Sequence, residues 1–161
     1  MSNLIKVGID PSGTGTTAIV VYEDNKVIRK IEIIYNNWLK QLKFIIDVFS
    51  EFRYKNSYEI SIENCLPTNA NGSKDRDDLL RLVGALEIKL NDLQLEINWA
   101  SPRHTKSVVK NMENLSKYQK ITAVYEKDNS LTYEYSKGWF YNNEKISNHL
   151  RDAIIIANYE N

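Results

Sequence analysis

Three acidic residues stand where an acid is costly unless it is used. Asp10 closes the most apolar run in the chain (LIKVGID), Glu63 closes a second (YEISIE), and Asp152 precedes Ala153-Ile154-Ile155-Ile156-Ala157. A carboxylate drawn out of water in such surroundings must be hydrogen-bonded, paired or bound to a cation. Taken singly, each reads first as a strand end or helix surface with its carboxylate in solvent. Taken together they suggest a site, because ligands of open α/β sheets gather at the carboxyl ends of the strands. Two strand-end carboxylates and one from a neighbouring helix supply the hard oxygen ligands that Mg²⁺ or Mn²⁺ prefers. Two such ions about 3.5–4 Å apart can activate a water and stabilise the leaving oxygen of an in-line phosphodiester displacement. His149 stands three residues before Asp152, so on a helix the two share a face, where the imidazole could bind metal or move a proton. Alone it would read as a partly exposed helix histidine. His104, beside Arg103, is a phosphate neighbour or simply exposed.

The elements that must carry these residues follow from hydrophobic periodicity. Leu4 to Asp10 is too densely apolar for a half-exposed strand and reads as a buried central one. The Gly/Thr turn SGTGT leads to a second strand, Thr17 to Tyr22, and the polar turn Glu23 to Lys26 to a third, Val27 to Tyr35. Such short turns imply an antiparallel meander. Trp38, Leu42, Ile45 and Phe49 recur at helical spacing within a helix from about 37 to 53. A strand from Tyr58 to Glu63 follows, then a Gly/Asn/Pro loop and a helix from about Asp75 to Asp92. A short strand, Leu95 to Ala100, is closed by Pro102. The stretch from Arg103 to about Lys127 reads as helical, Asp128 to Asn143 as a turn or hairpin, and Ile146 to Ala157 as a terminal helix. The order β-β-β-α-β-α-β-α-α predicts a mixed five-stranded α/β sheet with helices on both faces, in one domain over residues 1–161.

Composition sets wider bounds. The 161 residues carry 21 Lys and Arg against 21 Asp and Glu, a net charge of zero that does not by itself suggest a polyanion partner. The distribution does: between Arg103 and Lys127 six basic residues face only Glu113 and Glu126. An acid-collecting site lowers the total while leaving that stretch free to meet phosphates. The single cysteine, Cys65, excludes an internal disulfide, and no run is apolar enough to span a bilayer. The N-terminus lacks the features of a signal peptide. A cytoplasmic protein without membrane attachment is expected.

The motifs resemble a known family. KVGIDPSGTGTTAIV is similar to the first motif of RuvC-type Holliday junction resolvases, YEISIEN to the second, SPRHTKSVVK to the segment in which Pro-Arg and a following Lys precede a helix, and HLRDAIIIA to the last. The likeness covers nearly the whole chain in order, with a longer stretch before the last motif. It implies a ribonuclease H-like fold and a metal-dependent homodimer that cuts two strands of a four-way DNA junction. By the same resemblance Asp10, Glu63, His149 and Asp152 are the catalytic and metal-binding set, with Mg²⁺ or Mn²⁺ as two ions per site, and Arg103, Lys106 and Lys117 are DNA contacts. Where bacterial members often carry an aromatic wedge, three residues past the glutamate, this chain has Leu66. Asn111 to Ser147 is longer than in those enzymes and holds Trp139, Phe140 and Tyr141, either a base-stacking platform or a core patch. These departures resemble a phage or mobile-element member.

Two other functions stay open. One is a nuclease of the same fold acting on RNA or on other branched or single-stranded DNA; the other is a DNA-binding module that has lost cutting. GIDPSGTGT also resembles the phosphate loop of actin-like ATPases, but these need a duplicated domain that 161 residues cannot hold. For the homodimer, the expected surface lies on the helix from about Asp75 to Asp92. Leu80, Gly84 and Ile88, four residues apart, form a second apolar stripe that meets either its own copy or a neighbouring helix of the same chain.

Overall fold

The computed structural model describes residues 3–52, 57–65 and 74–160. Three strands open the chain, β1 (Leu4–Asp10), β2 (Thr16–Glu23) and β3 (Lys26–Ile34), followed by α1 (Trp38–Phe52), β4 (Ser57–Glu63), α2 (Lys74–Asp92), β5 (Ile97–Ala100) and α3 (Pro102–Gln119). Four short strands come next, β6 (Ala123–Tyr125), β7 (Asp128–Glu134), β8 (Gly138–Tyr141) and β9 (Glu144–Lys145), before α4 (Asn148–Ala157). The main sheet has the order β3-β2-β1-β4-β5. β1, β2 and β3 pair antiparallel, while β4 and β5 run parallel to β1. This is the expected mixed sheet, and Asp24 and Asn25, both at positive φ, make the tight turn of the β2–β3 hairpin.

Alternation along the strands divides the interior in two. Ile5, Val7 and Ile9 of β1 and Ile60 and Ile62 of β4 pack with Leu42, Ile45 and Phe49 of α1 and Leu82, Leu86 and Leu90 of α2. The residues between them, Gly8 and Asp10 of β1 and Ser61 and Glu63 of β4, must point to the opposite face. There α4 lies so close that a Cβ on Gly8 would come 2.1 Å from the Ala153 carbonyl oxygen. Only glycine permits that approach.

The expected helix from Arg103 to Lys127 is too long. Ser101 caps α3, accepting a hydrogen bond from the Arg103 amide at 3.3 Å, and Pro102 occupies the first turn. At the other end Lys120 turns left-handed, with φ 51°. The chain then becomes β6, whose Ala123 and Tyr125 are buried while Val124 is 49% exposed, a period of two. The stretch read as a turn or hairpin is larger too: β7, β8 and β9 join β6 in a four-stranded antiparallel sheet of order β6-β7-β8-β9. Leu131, Trp139 and Tyr141 of this sheet share a core with Val20 and Tyr22 of β2 and Ile154 and Ile155 of α4. Trp139 and Tyr141, 3% and 4% exposed, are therefore a core patch and not a platform for bases.

A polar clasp joins the two sheets. The Tyr22 and Tyr141 hydroxyls both donate to Asp128 Oδ2, at 2.7 and 2.9 Å. Asn158 Nδ2 donates to the Tyr22 hydroxyl at 3.2 Å, and Lys6 Nζ to Asn158 Oδ1 at 3.1 Å. The Gly/Thr turn is packed as well: a Cβ on Gly13 would lie 2.4 Å from the Leu79 amide nitrogen of α2, which leaves no open cradle for a nucleotide phosphate there.

Candidate functional site

Register alone brings the first two carboxylates together. The parallel ladder between β1 and β4 ends with Ile9 opposite Ile62, so Asp10 and Glu63 are the next residues out on adjacent strands and project to the same face. α4 crosses that face, which sets its first turns beside the strand ends. His149 Nδ1 is 3.1 Å from Asp10 Oδ2, with the ring about half exposed and the aspartate side chain only 14% exposed. Asp152 acts electrostatically on both Asp10 and Glu63. His149 thus touches Asp10, while Glu63 and Asp152 lie within electrostatic reach at the same end of the sheet.

Their electrostatics are those of crowded acids. Burial pushes Asp10 up to about 6; Asp152 adds to the rise, while the His149 hydrogen bond and the Arg151 charge oppose it. Burial, then the nearby Asp10 and Asp152, push Glu63 up to about 7. Lys106 pulls it back, as does the Thr105 hydroxyl, which faces the carboxylate without completing a hydrogen bond within the protein.

Beside these acids lies a cavity of about 300 Å³ lined by Glu63, Asp152, Thr105, Lys106, Lys110 and Arg151, among others. Lys106 and Lys110, one helical turn apart on α3, bring two ammonium groups to a site with a carboxylate wall. Of the other expected DNA contacts, Arg103 is exposed on the first turn of α3 and does not line the cavity. Lys117 is exposed near the end of α3, its ammonium 5.3 Å from the Tyr118 ring centre. Leu66 falls outside the described residues. His104, half-buried, packs edge-on against Tyr159 at 5.0 Å, so it is neither simply exposed nor placed as a phosphate ligand.

Sequence reasoning missed Arg151. Its Nε donates to Asp152 Oδ1 at 2.8 Å, its Nη1 donates to Asn148 Oδ1 at 3.1 Å, and its guanidinium lies 5.0 Å from the Trp139 ring centre. Lys110 was counted in the basic stretch but not singled out; its spacing of four from Lys106 was the available signal.

Two half-buried carboxylates that repel each other match the donor chemistry of a hard divalent cation, which relieves that repulsion. The third is engaged elsewhere, since one Asp152 oxygen holds Arg151. Among the described residues no three His, Cys, Asp or Glu side chains converge closely enough to share an ion.

No family model and no curated protein matches the chain. Solved structures do. The Thermus thermophilus RuvC in complex with a Holliday junction substrate superposes with a TM-score of 0.61 at 12% identity, covering 96% of this chain and 90% of that one. A second Thermus thermophilus RuvC structure gives a TM-score of 0.57 at 12% identity, over 96% and 91% of the two chains. The fold is ribonuclease H-like. It is shared with the RuvC structures at a sequence distance where the likeness speaks for the fold alone. No helix among the described residues is long and apolar enough to cross a membrane.

Proposed function

We propose that the protein is a divalent-metal-dependent endonuclease acting on branched DNA, and on four-way junctions in particular. The observation that carries this reading is the clustering of Asp10, Glu63 and Asp152 beside Lys106 and Lys110: carboxylates on one side, phosphate-seeking cations on the other. The likeness to a fold that binds a Holliday junction in RuvC favours DNA as substrate over RNA.

A divalent ion such as Mg²⁺ or Mn²⁺, when bound, would supply Lewis acidity and ease the loss of a proton from water to give the nucleophile. Asp10 and Glu63 are the residues that would hold it. His149, open to solvent and within hydrogen-bond distance of Asp10 through Nδ1, can carry a proton between site and solvent. Lys106 and Lys110 orient the phosphodiester in the cavity, and Arg103 and Lys117 extend the positive surface along α3.

Paired cuts require two sites in fixed relation, hence a homodimer. The stripe on α2 supports this: Leu80 and Ile88 are 44% and 63% exposed, and a Cβ on Gly84 would meet nothing within 4 Å. No described neighbour in the same chain covers that stripe, so it is available to a second copy.

The test is incubation with Mg²⁺ and labelled four-way junction, splayed duplex, linear duplex and RNA hairpin, with mass measured by light scattering. Symmetric paired nicks in the junction by a dimer are expected. Preferential cutting of RNA or linear duplex would transfer the site to another nuclease activity, and a monomer on junction DNA would remove the resolvase reading.

A further inference from the structure

Arg151 is the residue of the site that neither spacing nor resemblance accounts for. Its side chain is 11% exposed and that of its partner Asp152 22%, so both members of the pair are largely out of water. A guanidinium in that position must be paired, and it cannot shed its proton. Three contacts fix it: Asp152 Oδ1 at 2.8 Å from Nε, Asn148 Oδ1 at 3.1 Å from Nη1, and the Trp139 ring at 5.0 Å. Trp139 belongs to β8, so the second sheet buttresses the arginine. The charge is felt across the site, since Arg151 acts on Asp10 as well as on Asp152.

Resting on the nuclease reading, we infer that Arg151 is a built-in cation of the active site: it occupies Asp152, so that Asp10 and Glu63 hold a single divalent ion where the sequence suggested two. The oxygen that accepts the Arg151 Nε hydrogen is withdrawn from metal coordination. Lys106 and Lys110 line the same cavity as Arg151, positive charge that a second ion would have to meet. Asp152 is then a positioning residue for the guanidinium and not a metal ligand.

The experiment counts Mn²⁺ bound to the DNA-free protein by electron paramagnetic resonance, titrated to millimolar metal. The wild type is expected to bind one ion per chain. Arg151→Lys, which keeps the charge, should also bind one. Arg151→Gln, which frees Asp152, should bind a second, and adding Asp152→Asn to it should return the count to one. Arg151→Gln combined with Asp152→Asn removes both charges of the pair together and should leave Mn²⁺ affinity within about threefold of the wild type. Two ions in the wild type, a count that depends on no variant folding, or loss of tenfold or more in affinity in that double variant, would overturn the inference while leaving the nuclease reading intact. Absence of any bound Mn²⁺ in the wild type would overturn both.

Discussion

The two faces of the main sheet are built from the same strands and could hardly differ more. Toward α1 and α2 the strands present isoleucine and valine, and the helices answer with Leu42, Ile45, Leu82, Leu86 and Leu90. Toward α4 they present Gly8, Asp10, Ser61, Glu63 and Tyr22, and the helix answers with Ala153, Ala157 and the carboxylate of Asp152. One face excludes water with bulk. The other keeps backbones close and acids crowded, a costly arrangement that the first face must stabilise. A strand's period of two lets one seven-residue segment do both, each residue type reporting which side it serves.

The largest effect that separates the faces is on cutting. Asp10→Asn or Glu63→Gln should lower junction cleavage by at least about a thousandfold while junction binding persists, because a ligand is lost and the basic surface is not. Leu86→Ala, on the other face, should leave the cleavage rate unchanged below its melting temperature. Gel assays at matched occupancy check both. If the two classes of variant lose activity alike, the division of labour is wrong.

Stability gives the next contrast. Leu86→Ala should cost about 2–5 kcal/mol as a core cavity, with Mn²⁺ affinity retained. Gly8→Ala should cost about 3 kcal/mol by overpacking, and should also slow cleavage because α4, and His149 with it, must back away from β1. Urea unfolding paired with a cleavage assay distinguishes a cavity from a displaced helix.

A third test uses pH. The folded values of Asp10 and Glu63, about 6 and about 7, lie above those of unfolded carboxylates near 4. Between these limits the folded state binds more protons than the unfolded one, so stability of the metal-free protein falls as pH rises. The loss should total about 2–4 kcal/mol between pH 4 and 8, once partial solvent access is allowed for. Mg²⁺ should restore much of it at pH 8 and little at pH 5, read as melting temperature by calorimetry. A flat profile would mean that the acids are not crowded.

The smallest effects concern DNA. Lys106→Ala and Lys110→Ala should each flatten the salt dependence of junction binding by about one unit of log–log slope, for all DNA substrates alike. Arg103→Ala and Lys117→Ala, farther from the acids, test how far along α3 the DNA runs: an unchanged slope at Lys117 would end the contact before the last turn.

How much of this was legible in the sequence depended on whether the signal was periodic. The central strands and α2 announced themselves through dense or regularly spaced apolar residues, and Asp10 and Glu63 through being acids at the ends of such runs. Register then did the rest, since two parallel strands of similar length bring their last residues together. The second sheet was hidden because its strands are as short as two and three residues, and because Lys120, a lysine at positive φ, ended α3 without a glycine or proline to mark it. Arg151 was hidden for a different reason. Neighbours in sequence do not share a helix face, so nothing in the spacing pairs it with Asp152; only the length of an arginine and the ring of Trp139 behind it bring the two together. The exposure of Leu80 and Ile88 could be suspected from a second stripe, but only the packing shows that α1 leaves them uncovered.

The clasp between the sheets has an optical consequence. Burial, and then the Asp128 carboxylate, push Tyr141 up to about 12, and the same two causes push Tyr22 higher still. Tyr125 of β6, raised by its own burial, should stay dark in an ultraviolet titration as the solvent-facing phenols ionise, and so should these two among the ten tyrosines of the chain. Their late absorbance would mark the moment at which β7 and β8 part from β2, a colour change that times the undocking of the sheet behind Arg151 without any label attached.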